Sequence, residues 1–457
     1  PVDLTTLRAD PQSVTISGIS SGAFMAVQFG VAWSSMVKGV AAIAGGPYYC
    51  SRVSAAGSLI GFGLLNVGAA LGPCMKGPGG PLSDLTAEAD ELARAGRIDP
   101  PEGLKRQRIY IFHGYNDSVV AAPLGDLTRG FYEHYQGKAS GALYAQTAIG
   151  AGHSFVVAKG GGDGLNACAA NAAPFIDDCR YDQAGVVLQH FYGALVPPSG
   201  ALSASVRPFD QRPFMGKYAA PDRISLADQG YVYVPKSCES GGCRLHLALH
   251  GCLQNAGGGL RPEGLAFLNR IGLNEWADRN GIIVLYPQTE SSAGSLWHMS
   301  YPYYYATPFN PEACWDWWSY VTYDDSYVTK SGAQIAALKA MIDAVTRNGV
   351  AAPPRQAAFA LTVTDTSHAG AALAWSAAPG AQSYIVYRAG GAGADFTRVG
   401  ETAGLSYAEG ALSPGSAYRW RVAPVVGGVE QTAAEASATT RARPAPCAQP
   451  GSCPLNP

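Results

Sequence analysis

The stretch VTISGISSGAF, residues 14–24, joins two kinds of sequence through a turn built of glycine and serine. Residues 14–19 form a short β-branched run that suits a buried strand. From Ser21 to Val37 the apolar positions Phe24, Met25, Val27, Phe29 and Val31 suit a helix. Between them, Gly18-Ile19-Ser20-Ser21-Gly22 has the spacing G-x-S-x-G, which puts its middle serine, Ser20, on a sharp strand-to-helix turn with the hydroxyl presented outward. Gly18 and Gly22 lack the Cβ that would clash in so tight a turn. The backbone N–H of Ser21 opens the helix and is aimed at negative charge developing beside Ser20, as an oxyanion donor must be. Ser17 lies inside the strand and reads as a core or hydrogen-bonded serine. Such a turn normally follows several strands of a sheet, and here almost nothing precedes it.

Further along, GVAAIAGGP (39–47) reads as a second buried strand and RIYIFHG (108–114) as a third, with a fourth around 143–148. Helical signals at 84–95 and 183–194 alternate with them, the pattern of a parallel sheet with crossover helices. A second block holds strands GYVYVP (230–235), RLHLALHG (244–251) and IIVLYPQ (282–288), with helices over roughly 261–280 and 328–347.

A serine nucleophile needs a base and a carboxylate to orient that base. On an α/β-hydrolase sheet these follow in the order serine, acid, histidine, each on a loop after a strand. Asp117, in the loop after the third strand, and His153, in GAGHSF after the fourth, meet both conditions. Asp117 has a competing reading as a turn residue after Asn116. His113 reads as structural because it sits at the strand end, and His134 and His190 fall in helical surroundings. The second oxyanion donor usually comes from a histidine-glycine loop upstream of the serine. That loop is found instead downstream, in LALHGCLQN (247–255), so Cys252 N–H takes the role and His250 shapes the turn. Moving residues 225–347 ahead of residue 1 produces a conventional hydrolase. The fold class is therefore α/β, a circularly permuted α/β-hydrolase spanning residues 1–347.

After an Ala/Pro linker at 348–355 the texture changes to short alternating strands separated by turns, over 356–443. Trp375, YIVYR (384–388) and YRWRVAPV (418–425) resemble a fibronectin type III sandwich. A Pro-rich tail, 444–457, closes the sequence, and Cys447 with Cys453 is a candidate staple for it.

The 457 residues carry a net charge of −2 and only 14% charged side chains, so there is no electrostatic footprint for nucleic acid or a membrane surface. No apolar run is long enough to span a bilayer. Ten cysteines, with close spacings at Cys168/Cys179 and Cys238/Cys243, show no zinc or redox spacing. They point to disulfides and a secreted, extracellular protein. The first residue is Pro1, and a processed product is expected.

The elbow GISSGAF, the loops HGYNDSVV and GAGHSF, ALHGCLQN, YPQ and NPEACWDWW together resemble extracellular poly(3-hydroxybutyrate) depolymerases, in the order of the subgroup with a permuted catalytic domain. The resemblance covers roughly residues 10–347. It implies a secreted serine esterase, expected as a monomer, that cleaves short-chain polyhydroxyalkanoates and their hydroxybutyrate oligomers without metal or cofactor. Carried across, Ser20, Asp117 and His153 match the triad, Ser21 and Cys252 the oxyanion donors, and Asn310 and Trp315 residues lining the substrate groove. Tyr303, Tyr304 and Tyr305 beside them suit a groove or polymer-adsorbing rim, whereas Trp317 or Trp318 reads as core. A Cys252–Cys314 bridge is a hypothesis that would stiffen the oxyanion loop. Depolymerases of this kind usually carry a further substrate-binding domain, of which the tail would be the start. The expectation is that this domain was removed or never present, which weighs against adsorption to insoluble polymer. Cleavage of soluble oligomers is expected in either case. Two other readings stand beside this one: a feruloyl or acetyl-xylan esterase, and a non-catalytic polymer-binding protein on a hydrolase scaffold.

Overall fold

The computed structural model describes residues 1–52, 62–138, 140–158, 164–216, 224–257, 264–293, 309–322, 324–349, 359–378, 381–391, 394–426, 428–431 and 433–442. They form two compact units, residues 1–353 and 354–457. Tyr303, Tyr304, Tyr305, Cys447 and Cys453 lie outside the described residues, as does most of the 348–355 segment.

The first unit is built on an eight-stranded sheet. Four strands come from the first half of the unit: β1 (Thr15–Ile19), β2 (Gly39–Ile43), β3 (Arg108–Phe112) and β4 (Leu143–Gln146). A small three-stranded sheet follows, β5 (Phe155–Val157), β6 (Asn166–Ala167) and β7 (Ile176–Asp178). The other four strands of the large sheet are β8 (Arg207–Asp210), β9 (Gln229–Tyr233), β10 (Arg244–Leu249) and β11 (Ile282–Tyr286), in the order β4-β3-β2-β1-β10-β11-β9-β8. The six strands from β4 to β11 run parallel, and β9 pairs antiparallel with both of its neighbours.

Every residue of β1, β2 and β11 is buried, as expected of parallel strands covered on both faces. The pleat divides their side chains between two cores. Ile16, Val40, Ile109, Leu247 and Leu285 join one cluster with helices α1 (Ser21–Ala32), α4 (Leu82–Arg94), α5 (Pro123–Gln136) and α9 (Ala333–Thr346). Ile19, Ala41, Tyr110, Ala248 and Val284 join the other, with α6 (Gln183–Tyr192), α7 (Gly264–Arg270) and α8 (Leu273–Asn280). Two further helices, α2 (Phe62–Leu71) and α3 (Pro73–Lys76), bring Ala70 and Cys74 into a smaller cluster with Phe24 of α1 and Leu124 of α5. All twelve residues of α1 are buried, which explains its sequence: it is apolar on nearly every side, and the amide of its buried Gln28 donates to Asp316 O and Tyr327 O.

The centre of the sheet pairs β1 with β10, distant segments in register Thr15↔His246 and Gly18↔Leu249. That register is pinned by polar bonds as well as packing. His246 lies between Thr15 Oγ1 (2.8 Å from Nδ1) and Ser17 Oγ (2.8 Å from Nε2), and a one-residue slip would break both. Ser17 is thus a buried, hydrogen-bonded strand residue. The place where an unpermuted chain would run from α9 into β1 is closed by contact. Ala9 N–H donates to Val345 O at 2.9 Å, and a Cβ on Gly349 would lie 1.9 Å from Ala9 O. Severing the chain there costs the sheet nothing, because the strands still find the same neighbours.

The structure refines several boundaries. The permuted block starts at β8, earlier than residue 225. The helix expected over 261–280 is two helices, because Gly272 adopts φ 85° at the start of α8. The helix expected from 328 begins at Ala333, after a 3-10 turn at Asp325–Val328. Helix α5 and the β5–β7 sheet were not anticipated; the three strands have two or three residues each, too few to show a period, whereas α5 does carry a helical one, with Leu124, Thr128, Phe131 and Tyr132 buried on one face.

The second unit is the fibronectin type III-like sandwich expected from the alternating strands. One sheet orders β14 (Leu361–Thr366), β15 (Ala371–Trp375) and β18 (Ser406–Glu409). The other orders β17 (Thr397–Thr402), β16 (Ser383–Gly390) and β19 (Ala417–Val426), with β20 (Val429–Glu430) and β21 (Ala434–Thr439) both on β19. Trp375, Tyr384, Val386 and Trp420 fill its core. The Glu409 carboxylate accepts from Trp420 Nε1–H (2.7 Å) and pairs with Arg388 (2.8 Å), tying one sheet to the other. In the first unit, β12 (Ser292–Ala293) and β13 (Phe309–Asn310) form a two-stranded ribbon.

Candidate active site

Ser20 follows β1 directly and caps α1 with φ 56° and ψ −123°, a backbone conformation that costs a non-glycine residue of order 1–3 kcal/mol. Its neighbours explain why the chain can hold it. A Cβ on Gly18 would lie 2.0 Å from Gly22 O, across the turn. A Cβ on Gly22 would lie 2.4 Å from His250 O and 2.5 Å from Leu249 O. Gly22 therefore serves a purpose the local pattern does not reveal, since it lets α1 press against the end of β10. Ser21 is the first helical residue, so its N–H has no partner one turn earlier.

The loop after β10 arrives beside this turn. A Cβ on Gly251 would come within 3.2 Å of Ser20 Cβ. Gly251 N–H donates to Gln254 Oε1 (2.7 Å), whose amide in turn donates to Pro174 O (2.9 Å). Cys252 is disulfide-bonded to Cys314, and Leu253 N–H donates to Glu312 O at 2.7 Å. The loop carrying Cys252 is thus fastened on both sides. His250 is buried and shapes the turn, its Nδ1 lying 2.7 Å from Gly251 O and its Nε2 accepting from Thr289 N–H. Burial pulls its imidazole down to about 4, so it stays neutral.

Asp117 and His153 stand on loops at the ends of adjacent strands β3 and β4. His153 Nδ1 lies 2.9 Å from Asp117 Oδ2, and both side chains are almost fully buried. A carboxylate only accepts, so the proton of that bond sits on Nδ1 and Nε2 is the basic nitrogen. Asp117 Oδ1 accepts from Val119 N–H and Val120 N–H, each at 2.9 Å. His113 Nε2 also lies 3.5 Å from Asp117, but it bonds Val120 O at 2.8 Å. Burial lowers the His113 pKa, and this outweighs the pull of Asp117, so that approach is no ion pair. His134 and His190 lie on α5 and α6.

Ser20 and His153 share the wall of a cavity of about 500 Å³. Phe24, Leu71, Met75, Val120, Phe175 and Leu253 contribute to the rest of that wall, with Cys252 and Gly251 beside the serine. Among the described lining residues there is no lysine or arginine, and Glu312 is the one carboxylate. Four disulfides stiffen the unit: Cys50–Cys74, Cys168–Cys179, Cys238–Cys243 and Cys252–Cys314. Among the described residues no helix is long and apolar enough to cross a membrane.

The groove residues are arranged differently from the expectation. Asn310 lines the cavity, yet its polar atoms are committed. Oδ1 accepts from Cys314 N–H at 2.9 Å, while Nδ2 donates to Cys314 O (2.9 Å) and Tyr320 OH (3.0 Å). Trp315 does not line it. It is fully buried behind the wall, its Nε1–H donating to His250 O at 3.0 Å and its backbone N–H to Ser21 Oγ at 3.3 Å. Trp317 and Trp318, one or other of which the sequence reading places in the core, both line the cavity; Trp317 is at the same time buried in a hydrophobic cluster with Phe24, on which it stacks with centroids 4.1 Å apart. Adjacent tryptophans project in different directions, and spacing alone does not say which one a cavity receives. Two polar positions escaped the sequence reading, Gln254 and Asn171. The second had one available signal, being the single polar residue in AANAAP (169–174).

No family model matches the chain. A poly(3-hydroxybutyrate) depolymerase of Delftia acidovorans is 37% identical over 450 residues, covering 95% of this chain and 81% of the relative. A polyhydroxybutyrate depolymerase of Talaromyces funiculosus is 34% identical over 343 residues, 73% of this chain and 90% of the relative. Among solved structures, a serine-to-alanine PHB depolymerase complexed with R3HB trimer superposes with a TM-score of 0.62 at 31% identity, covering 75% of this chain and 98% of that one.

Proposed function

This chain belongs to the poly(3-hydroxybutyrate) depolymerases, and from that premise we propose how its own residues hydrolyse the ester bonds of poly(3-hydroxybutyrate) and related short-chain polyhydroxyalkanoates. The protein is a carboxylic ester hydrolase. Ser20 Oγ attacks the ester carbonyl carbon while His153 Nε2 takes its proton, and Asp117 stabilises the imidazolium that forms. The carbonyl oxygen, now an oxyanion, is held by the backbone N–H groups of Ser21 and Cys252. Collapse expels the hydroxyl end of the polymer chain, which takes the proton from His153 and leaves an acyl group on Ser20. Water then repeats the sequence, giving its proton to His153, and the free acid departs.

The observation that carries this reading is a buried Asp117–His153 pair opening with Ser20 onto a cavity that is apolar and free of described cations. An uncharged polyester with methyl branches fits such a wall. A sugar ester would call for free hydrogen-bonding groups, whereas the amides of Asn171, Gln254 and Asn310 at this wall are bonded to the protein itself, and among the described residues Glu312 is the one other polar side chain there beside Ser20 and His153. Four disulfides support a secreted enzyme, and we take it to act as a monomer. The test pairs hydrolysis of soluble R3HB trimer with clearing of polyhydroxybutyrate granules, for wild type and Ser20→Ala. Wild type should release hydroxybutyrate from trimer, and the variant should lose at least about 10³-fold in kcat. Trimer left intact by wild type, or cut equally well by Ser20→Ala, overturns the reading.

A further inference from the structure

Two side chains that must meet at 2.9 Å, Asp117 and His153, stand on separate loops, and something has to set the distance between those loops. Part of the answer is main chain. Tyr115 N–H donates to Ile149 O and Asn116 N–H to Ala151 O, each at 3.1 Å, and Asn116 Nδ2 donates to Gly150 O at 2.8 Å. These bonds hold the loops along 115–116 and 149–151 and stop short of the pair itself.

At the pair the tie comes from a third segment. Asn171 Oδ1 accepts from His153 N–H at 2.8 Å and from Ser118 N–H at 3.0 Å. Its Nδ2 donates to Asn116 O at 3.0 Å and to Ala169 O at 3.3 Å. Two N–H donors on one side and two carbonyls on the other leave a single amide orientation that satisfies all four. Oδ1 touches the backbone of the histidine itself and of the residue next to the acid. One carbonyl oxygen therefore sets the separation of the two main chains where their side chains must pair.

Asn171 is itself anchored. It lies inside the loop closed by Cys168–Cys179. Gly152 N–H donates to Cys168 O at 2.8 Å, and a Cβ on Gly152 would lie 1.8 Å from Ala170 O. The histidine loop is thus pressed onto the bridged loop with no room between them. We propose that Asn171 is a positioning residue for the reaction, acting through the Asp117–His153 pair and not by contact with the reacting atoms. The proposal rests on the assignment of Ser20, Asp117 and His153 above. An acid–base pair shifted by an ångström or less loses up to about 10²-fold in rate while binding is retained.

The test is a double-mutant cycle on soluble R3HB trimer, with thermal melting of every variant alongside. In the wild-type background Asn171→Ala should lower kcat between roughly 10- and 100-fold and leave KM within about twofold. The 115–116 to 149–151 bonds remain, so the fold should persist. Asn171→Ser, whose hydroxyl can accept from one of the two N–H groups, should fall between wild type and Asn171→Ala and gives a second route to the answer. In an Asp117→Ala background there is no pair left to align, and Asn171→Ala should change kcat by less than about twofold. The same loss in both backgrounds, a raised KM with kcat retained, or no loss in wild type would overturn the proposal. Full activity of Asp117→Ala alone would instead remove the assignment on which it stands.

Discussion

Replacing Asp117 by Asn should abolish most activity without disturbing the fold, and the hydrogen-bond geometry dictates why. Asp117 Oδ1 accepts two backbone N–H groups, from Val119 and Val120, while Oδ2 faces His153 Nδ1. An asparagine at this position has one oxygen and one NH2 group to distribute. Turning the NH2 toward Val119 and Val120 would set donor against donor in a buried loop and lose two hydrogen bonds, at about 1–3 kcal/mol for each group left unsatisfied. The oxygen therefore stays with the backbone, and the NH2 faces His153. It donates to Nδ1, so the imidazole proton moves to Nε2, the nitrogen that must receive the serine proton. The base is then in the wrong tautomer, and no carboxylate remains to stabilise the imidazolium. An equivalent change in a serine protease triad lowers kcat about 10⁴-fold, and the same order, about 10³–10⁴, is expected here. On soluble R3HB trimer KM should stay within about threefold, because Asp117 is not part of the cavity wall. Melting temperature should change by only a few degrees, since the two backbone bonds persist. A variant that keeps a tenth or more of wild-type kcat at neutral pH would refute the tautomer argument. Loss accompanied by unfolding would show that the geometry of the 117–120 turn had been misjudged.

Two further outcomes follow from packing and burial. Gly22→Ala places a Cβ 2.4 Å from His250 O, so α1 and the β10 loop must separate; destabilisation of about 1–3 kcal/mol is expected, with kcat reduced by up to about 10²-fold. Urea unfolding and trimer hydrolysis would check it, and wild-type behaviour in both would contradict the close approach. His246, wholly buried, is pulled down to about 3, so the folded state resists a proton that the unfolded chain accepts near pH 6.5. Its stabilisation is therefore full above the unfolded value and declines as pH falls, by about 1.4 kcal/mol per pH unit. Buried Asp316, raised to about 7, acts with the opposite sign as the pH falls from 7 toward 3.8, so the comparison must be internal. The stability gap between wild type and His246→Gln should narrow by about 2 kcal/mol from pH 6.5 to 5 in urea titrations. A gap independent of pH would mean that His246 carries its proton in the fold.

What could be read from the chain alone was what local backbone chemistry encodes. Glycines at 18 and 22 around Ser20, and strand ends followed by Asp117 and His153, all depend on neighbours in sequence. The permutation was legible for a related reason. A serine turn needs a sheet, and the missing strands had to be found downstream, where HGC and IIVLYPQ stand. The alternating strands after 356 likewise declare their own sandwich. The tertiary structure decided matters that depend on who arrives from elsewhere. Gly22 is small because β10 comes within contact of it, and Trp315 is buried while its neighbours Trp317 and Trp318 meet the cavity. Asn171 matters because one amide can bridge two loops distant from it in the chain. Hydrogen bonds between remote segments leave no period or spacing in the sequence, so their partners become visible only when the fold has brought them together.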